Sequence, residues 1–442
     1  MRRCLYAALL AAGVYMVVSP PSFLVYRARS LGLRSSEYVS AIEEFQGALK
    51  GQDWQKTIAC ARRGLKKRVL TREDIEQAAV ISPVMSDALS ATDALLSLKE
   101  KTGLHFSEAF PIVLFAQTQL SQDLEKGVHY WPESKYGREL QFDPQRKRLF
   151  IHLGTNGVKR IGKGTIKMVT KTILYDPVSP EVMARGEARS KMRNERLAME
   201  LVEGLPCVQQ IEAFMHHYDQ KSKKNVYSLV TKLYTLGSLK NVIEKKVVKL
   251  SRSDRLQIAS DIITGLAQLH EKGIVHRDLG LKNYFLAVES ESPRVIRAIV
   301  ADMGKSRFVS DVQGVRAQGN TNYIAPEGFL ITQMKGDDYL RTDLFTVGCV
   351  LWRLYFGSSP KWTEAKYYNK YILKPKIGSE RLLAEMGKIR KEVMKKHKGS
   401  SVEDRFVALI LKLTDPDPDR RGTAKEMSMA FQQLLTEAQA LA

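Results

Sequence analysis

Apolar positions recur at helical spacing through the first third of the chain. Ala41, Phe45 and Leu49 form one stripe, and residues 31–135 continue to alternate apolar and polar positions in this way. Thr71 followed by Asp74 predicts a capped helix start. These stripes predict a helical accessory region whose faces pack on one another. Two runs, GRELQF and KRLFIHL, separated by DPQR, then predict a strand pair. VYSLVTKLYTLGSL reads as a buried strand running into an exposed linker. Farther on, Ile258, Ile262, Leu266 and Leu269 at helical intervals, ended by Gly273, predict a buried helix.

The start of the chain follows a different pattern. Two arginines precede an uncharged run from Cys4 to Tyr26, and Arg27, Arg29 and Arg34 follow it. Residues 1–30 therefore predict a hydrophobic targeting or membrane-anchor segment. The apolar stretch from Cys4 to Val18 is shorter than the roughly 20 residues of a bilayer span, and Pro20 and Pro21 interrupt a helix there. Pro20 directly after Ser19, with no A-x-A tripeptide, favours an uncleaved anchor over a secretory signal. The flanking positive charge is nearly balanced and leaves orientation open.

Composition narrows the classes. A chain of 442 residues with 44% hydrophobic content can build one large domain and a smaller unit. Cys4, Cys60, Cys207 and Cys349 are widely separated and form neither a metal-ligand nor a disulfide-framework spacing, which favours a reducing compartment. Net charge is +21, from 69 basic and 48 acidic residues. Acidic substrates or an anionic membrane surface fit that charge, as does a merely solvated basic surface. No nucleic-acid motif accompanies it, so nucleic acid is disfavoured as a partner. Local clusters such as RRGLKK and KEVMKKHK carry much of the charge.

The chemistry concentrates in HRDLGLKNYFL and IVADMGKSR, which set Asp278, Asn283 and Asp302 in one order. An aspartate can take the proton of an attacking hydroxyl, while an asparagine five residues on and a second aspartate can hold magnesium ions bridging the phosphates of ATP. This spacing resembles the protein kinase family. Further landmarks follow in family order: GKG at Gly162 to Gly164, GNTNYIAPE at Gly319 to Glu327, TDLFTVG at Thr342 to Gly348, and Arg421 as the partner of Glu327. The resemblance implies an α+β, two-lobed fold over residues 150–436, with a small antiparallel β lobe and one long helix at 150–234 and a mainly helical large lobe at 235–436. It also implies ATP and Mg2+ as cofactors and a protein substrate.

Carried over residue by residue, the resemblance puts Ile161, Gly162 and Gly164 in the loop over the phosphates and Val169 above adenine. The third glycine of the loop is replaced by Lys167, and the strand position that usually holds the phosphate-binding lysine is Arg185 in EVMARGEA. A planar guanidinium does not reproduce a compact ammonium. Lys167 and Val169 are two apart and so face one side of a strand, which lets Lys167 reach the phosphates. That arrangement is similar to the with-no-lysine kinases. Glu195 is the expected holder of the phosphate-binding residue, because Met192, Met199 and Val202 share its helix face; Glu200 is the alternative.

The same carry-over gives Thr231 control of the back pocket, the backbone of Lys232, Leu233 and Tyr234 the hydrogen bonds to adenine, and Phe285 the floor. His276 has a structural role beneath the DMG turn, and Met303 fills the place of the usual phenylalanine. Lys282 stands four after Asp278, as basic residues do in tyrosine kinases, whereas serine/threonine kinases place a lysine where this chain has Gly280. GNTNYIAPE argues for serine or threonine, although Asn320 with Thr321 departs from the usual turn. Ser306, Ser310 and Thr321 are candidate switch hydroxyls, with Arg277 to receive an added phosphate. The expectation is a membrane-associated kinase with its catalytic part on the cytosolic side. A pseudokinase is the main alternative, and a basic adaptor acting through its helical N-terminal region is a third. Nothing in the sequence sets an oligomeric state.

Overall fold

Local capping chemistry sets where the first helices begin. Helix α1 (Ser35–Lys50) is followed by α2 (Trp54–Lys66), which starts where the Asp53 carboxylate accepts the Lys56 N–H. Helix α3 (Arg72–Ala79) starts at the expected Thr71–Asp74 pair, which bond reciprocally, and α4 (Pro83–Leu96) starts at Ser82. Helices α5 (Lys99–Thr102) and α6 (Phe106–Gln119) complete the series. The computed structural model describes residues 35–441 except 81, 120–127, 131–138, 144, 153–159, 164–167, 189–191, 220–222, 292–293, 313–322, 324, 331–333 and 364–374. The anchor segment expected at residues 1–30 lies outside them. Among the described residues, no helix is long and apolar enough to cross a membrane.

The chain divides into two units, Met1–Lys163 with Val169–Met183, and Gly164–Met168 with Ala184–Ala442. In the first, strands β1 (Val128–Tyr130), β2 (Glu139–Asp143), β3 (Arg148–His152), β4 (Arg160–Lys163) and β5 (Met168–Tyr175) follow the helices. The expected hairpin is present: β2 pairs antiparallel with β3, and β3 pairs antiparallel with β5, with Leu149 opposite Tyr175. Phe45 and Leu49 of the predicted stripe are buried. The helical faces do not close on one another alone. Phe45, Met85 and Phe110 share a core with Leu149, Ile151, Ile173 and Tyr175, because β3 and β5 also carry apolar faces that must be covered. Gln117 Nε2 donates to the Tyr175 hydroxyl at 3.0 Å across the same layer.

The second unit contains most of β6 (Glu181–Ala188), then α7 (Arg193–Leu201), β7 (Ala213–Asp219) and β8 (Lys224–Lys232), with β8 between β6 and β7. β9 (Gly237–Ser238), α8 (Leu239–Lys245) and the long α9 (Arg252–Glu271) follow. Short β10 (Ile274–Val275), the hairpin β11 (Tyr284–Glu291) and β12 (Arg294–Val300), and β13 (Arg307–Phe308) come next. Helices α10 (Glu327–Leu330), α11 (Gly336–Phe356), α12 (Pro375–Lys396), α13 (Val402–Leu413) and α14 (Ala424–Ala440) close the chain. The fold class is α+β, with antiparallel strand pairs and a largely helical C-terminal half.

Helix α9 is the scaffold of this unit. Its Ser251–Asp254 capping box fixes the start, and the predicted stripe Ile258, Ile262, Leu266 and Leu269 is completely buried. Arg421, fully buried, meets Glu327 with Nη2 2.9 Å from Oε2, as the sequence pairing predicts, and its guanidinium lies over the Phe345 ring. At Gly265 the helix presses on its neighbours, since a Cβ there would sit 2.5 Å from the Cys207 carbonyl oxygen and 2.6 Å from Val300 Cγ2. Backbone cannot yield as a flexible side chain does. Gly265→Ala is therefore expected to destabilise the protein by about 1–3 kcal/mol through overpacking, despite the better helix propensity of alanine. Urea unfolding measures this, and an unchanged midpoint would contradict the packing argument.

Candidate active site

The β11–β12 hairpin delivers two of the expected polar groups together. Tyr284 pairs with Val300, so Asn283, just before β11, and Asp302, two residues past β12, lie at the same open end. The Ala301 N–H donates to the Asn283 carbonyl at 2.9 Å, which closes that end. Asn283 Nδ2 donates to the Asp278 carbonyl at 2.7 Å, and this leaves the amide oxygen as the group available to a cation. Asp302 has φ 64°, a left-handed conformation that costs a non-glycine residue energy.

The loop carrying Asp278 hangs from one buried carboxylate. Asp343, on α11, accepts the His276 N–H at 2.7 Å on one oxygen and the Arg277 N–H at 3.0 Å on the other. His276 is completely buried and acts as a structural bridge, as expected: its Nε2 lies 3.0 Å from the Ala301 carbonyl, while Nδ1 accepts the Asp278 N–H at 3.3 Å. Those contacts fit the Nε2–H tautomer. Arg277 also adopts positive φ, stacks its guanidinium over the Tyr339 ring, and has its pKa lowered by burial. Met303 is completely buried at the place predicted for it.

Asp278 itself is 5% exposed, and its two oxygens differ. Oδ2 lies 3.3 Å from Lys282 Nζ and 3.3 Å from Lys305 Nζ. Oδ1 is buried and has no hydrogen-bond partner among the described residues. A buried acceptor without a donor is costly unless something arrives to fill it.

Glu195 is buried beside Met192, Met199 and Val202, whereas Glu200 pairs with Arg196 at the surface. Its Oε2 and Asp302 Oδ1 flank the same glycine: a Cβ on Gly304 would lie 3.8 Å from the first and 3.2 Å from the second. Arg185 is fully buried, donates from Nε to the Ser228 hydroxyl at 3.1 Å, and sits 3.0 Å from Glu187. Thr231 is buried, and its hydroxyl accepts from Gln209 Nε2 at 3.1 Å. Lys232, Leu233 and Tyr234 lead out of β8, and the Tyr234 ring stacks on Phe285 at 5.5 Å, with burial pushing its phenol pKa upward. Ile161 and Gly162 lie on β4 and Val169 on β5, all in the first unit. Gly164, Lys167, Asn320 and Thr321 fall outside the described residues.

Two residues that sequence reasoning missed join this group. Gln209 ties the Thr231 hydroxyl to the Asp302 N–H, which its Oε1 accepts at 3.3 Å. Lys305 is the other. Neither belongs to a spacing rule, since both reach the site only through the fold.

The Protein kinase domain family matches residues 156–431, more than half of the chain. The chain belongs to the protein kinase family. It is 26% identical over 225 residues to the serine/threonine-protein kinase PLK4 of Nematostella vectensis, covering 50% of this chain and 21% of that protein. It is 25% identical over 283 residues to the serine/threonine-protein kinase plk-1 of Caenorhabditis elegans, covering 62% and 37%. It is 28% identical over 236 residues to the serine/threonine/tyrosine-protein kinase HT1 of Arabidopsis thaliana, covering 52% and 55%. The match thus spans from about a fifth to about half of the length of these relatives.

In this kinase, Asp343 is the support most open to a clean test. Asp343→Asn keeps the shape but turns one acceptor into a donor facing a buried N–H. It is expected to lower stability by about 1–3 kcal/mol, the cost of one unsatisfied buried donor. Urea unfolding of the two proteins checks this, and a difference within about 0.5 kcal/mol, typical of surface changes, would contradict it.

Proposed function

We propose that this kinase is catalytically active and transfers the γ-phosphoryl group of ATP to serine or threonine hydroxyls of protein substrates with Mg2+. The observation that carries this reading is the placing of Asn283 and Asp302 at one end of the β11–β12 hairpin, with Asn283 bonded to the Asp278 carbonyl and the Asp278 loop held by Asp343. An amide oxygen and a carboxylate suit a hard cation such as Mg2+, which when bound neutralises charge developing on the phosphates. Asp278 receives the proton of the attacking hydroxyl, and Lys282 holds one of its oxygens. The relatives named serine/threonine kinases, together with GNTNYIAPE, support the choice of acceptor.

Arg185 decides which residue meets the phosphates. Its guanidinium is engaged by Ser228 and Glu187, so the phosphate contact is assigned to Lys167, with Glu195 as the residue that holds it. The same engagement of Arg185 favours a second reading, a pseudokinase that keeps the fold as a docking surface. Residues 31–135 are proposed as an accessory region preceding a kinase domain at 150–436, and residues 1–30 as its membrane anchor.

Incubation with labelled ATP, magnesium and a generic protein substrate tests these readings. Asp278→Asn is expected to lower transfer by about 10²–10⁴-fold, the usual worth of a general base. Lys167→Ala is expected to remove most activity and Arg185→Ala to retain more of it. The reverse order would reject the assignment to Lys167, and Mg-ATP stabilisation without transfer by the unaltered protein would establish the pseudokinase.

A further inference from the structure

We propose that Lys305 is a positioning residue for phosphoryl transfer, acting with Lys282 to orient Asp278. This rests on the reading of the chain as an active kinase. Both ammonium groups lie 3.3 Å from the same atom, Asp278 Oδ2, and none of the described groups bonds Oδ1. The asymmetry is chemical as well as geometric. Two cations on one oxygen oppose rotation about the bond to the carboxyl carbon. The plane of the carboxylate is thereby held in one orientation.

The lysines reach Asp278 from different loops. Lys282 immediately precedes Asn283, and Lys305 ends the turn that starts at left-handed Asp302. Each loop that offers a metal ligand therefore also places a cation on the base, so the orientation of the base depends on both loops being in place. Gly280, where the resemblance leads one to expect a lysine, contributes no side chain. The carboxylate is 6% exposed while the Lys305 and Lys282 side chains are 43% and 55% exposed, so two partly solvated cations converge on a buried carboxylate. In the step itself, the acceptor oxygen forms a bond to the γ-phosphorus and the bond to the β-bridging oxygen breaks, its electron pair leaving with ADP. The hydroxyl proton passes to the Asp278 carboxylate.

Steady-state kinetics of the full chain with Lys305→Met and Lys305→Arg provide the test. Loss of a group that orients the base lowers kcat about tenfold and leaves both KM values within about threefold, and arginine restores most of the loss. An unchanged kcat, or an arginine variant no better than methionine, would overturn the proposal. A readout independent of turnover is 13C-methylation of the lysines, with the Lys305 signal assigned by its loss in Lys305→Arg. That signal is expected to shift in Asp278→Asn, and a signal indifferent to the substitution would overturn the contact. Failure of the underlying kinase reading looks different: the unaltered protein then transfers no label, while the lysine signal still reports on the pairing.

Discussion

One buried carboxylate holds the geometry on which the site depends. Asp343 receives two consecutive backbone N–H groups, from His276 and Arg277, and so fixes two peptide planes rather than one contact. Charge-assisted hydrogen bonds of this kind contribute about 1.5–3 kcal/mol each, enough to sustain the left-handed conformation of Arg277, which costs roughly 1–2 kcal/mol in a residue with a side chain. Asp278 leaves the loop in the direction these planes dictate. The His276 ring then braces the same loop against Ala301.

Antiparallel pairing supplies the second constraint. With Tyr284 opposite Val300, the residues flanking the hairpin meet in one register, and a slip of one position would turn every side chain of a strand to the other face. Helix α9 resists such a slip, because Gly265 lets it seat directly against Cys207 and Val300. Val300 is bonded in turn to Cys207 and Gln209. The contact that packs the core is therefore also the one that aligns Asn283 with Asp302.

Much of this was legible along the chain. The capping pair Thr71–Asp74, the stripe from Ile258 to Leu269, the inward face of Glu195 and the Arg421–Glu327 pair each rest on short-range periodicity or on a spacing that one element or one family motif sets. Lys305 and Gln209 were not legible. Lys305 meets a residue 27 positions earlier, and Gln209 one 93 positions later, so their partners are fixed by topology alone. The covering of the N-terminal helices by β3 and β5 escaped for a related reason, since a periodic pattern says that a face is buried and not what buries it.

Strand β5 gives that last feature a practical meaning. Ile173 and Tyr175 sit beneath the N-terminal helices, and one partner strand of β5 is β3, which ends at His152, ahead of the family match at 156. Trimming the protein to the matched range would bare a phenol and an isoleucine and leave an open strand edge, the kind of surface that recruits other chains into aggregates. The helices and the first strands thus share one core, and the border drawn by sequence similarity runs through the middle of it.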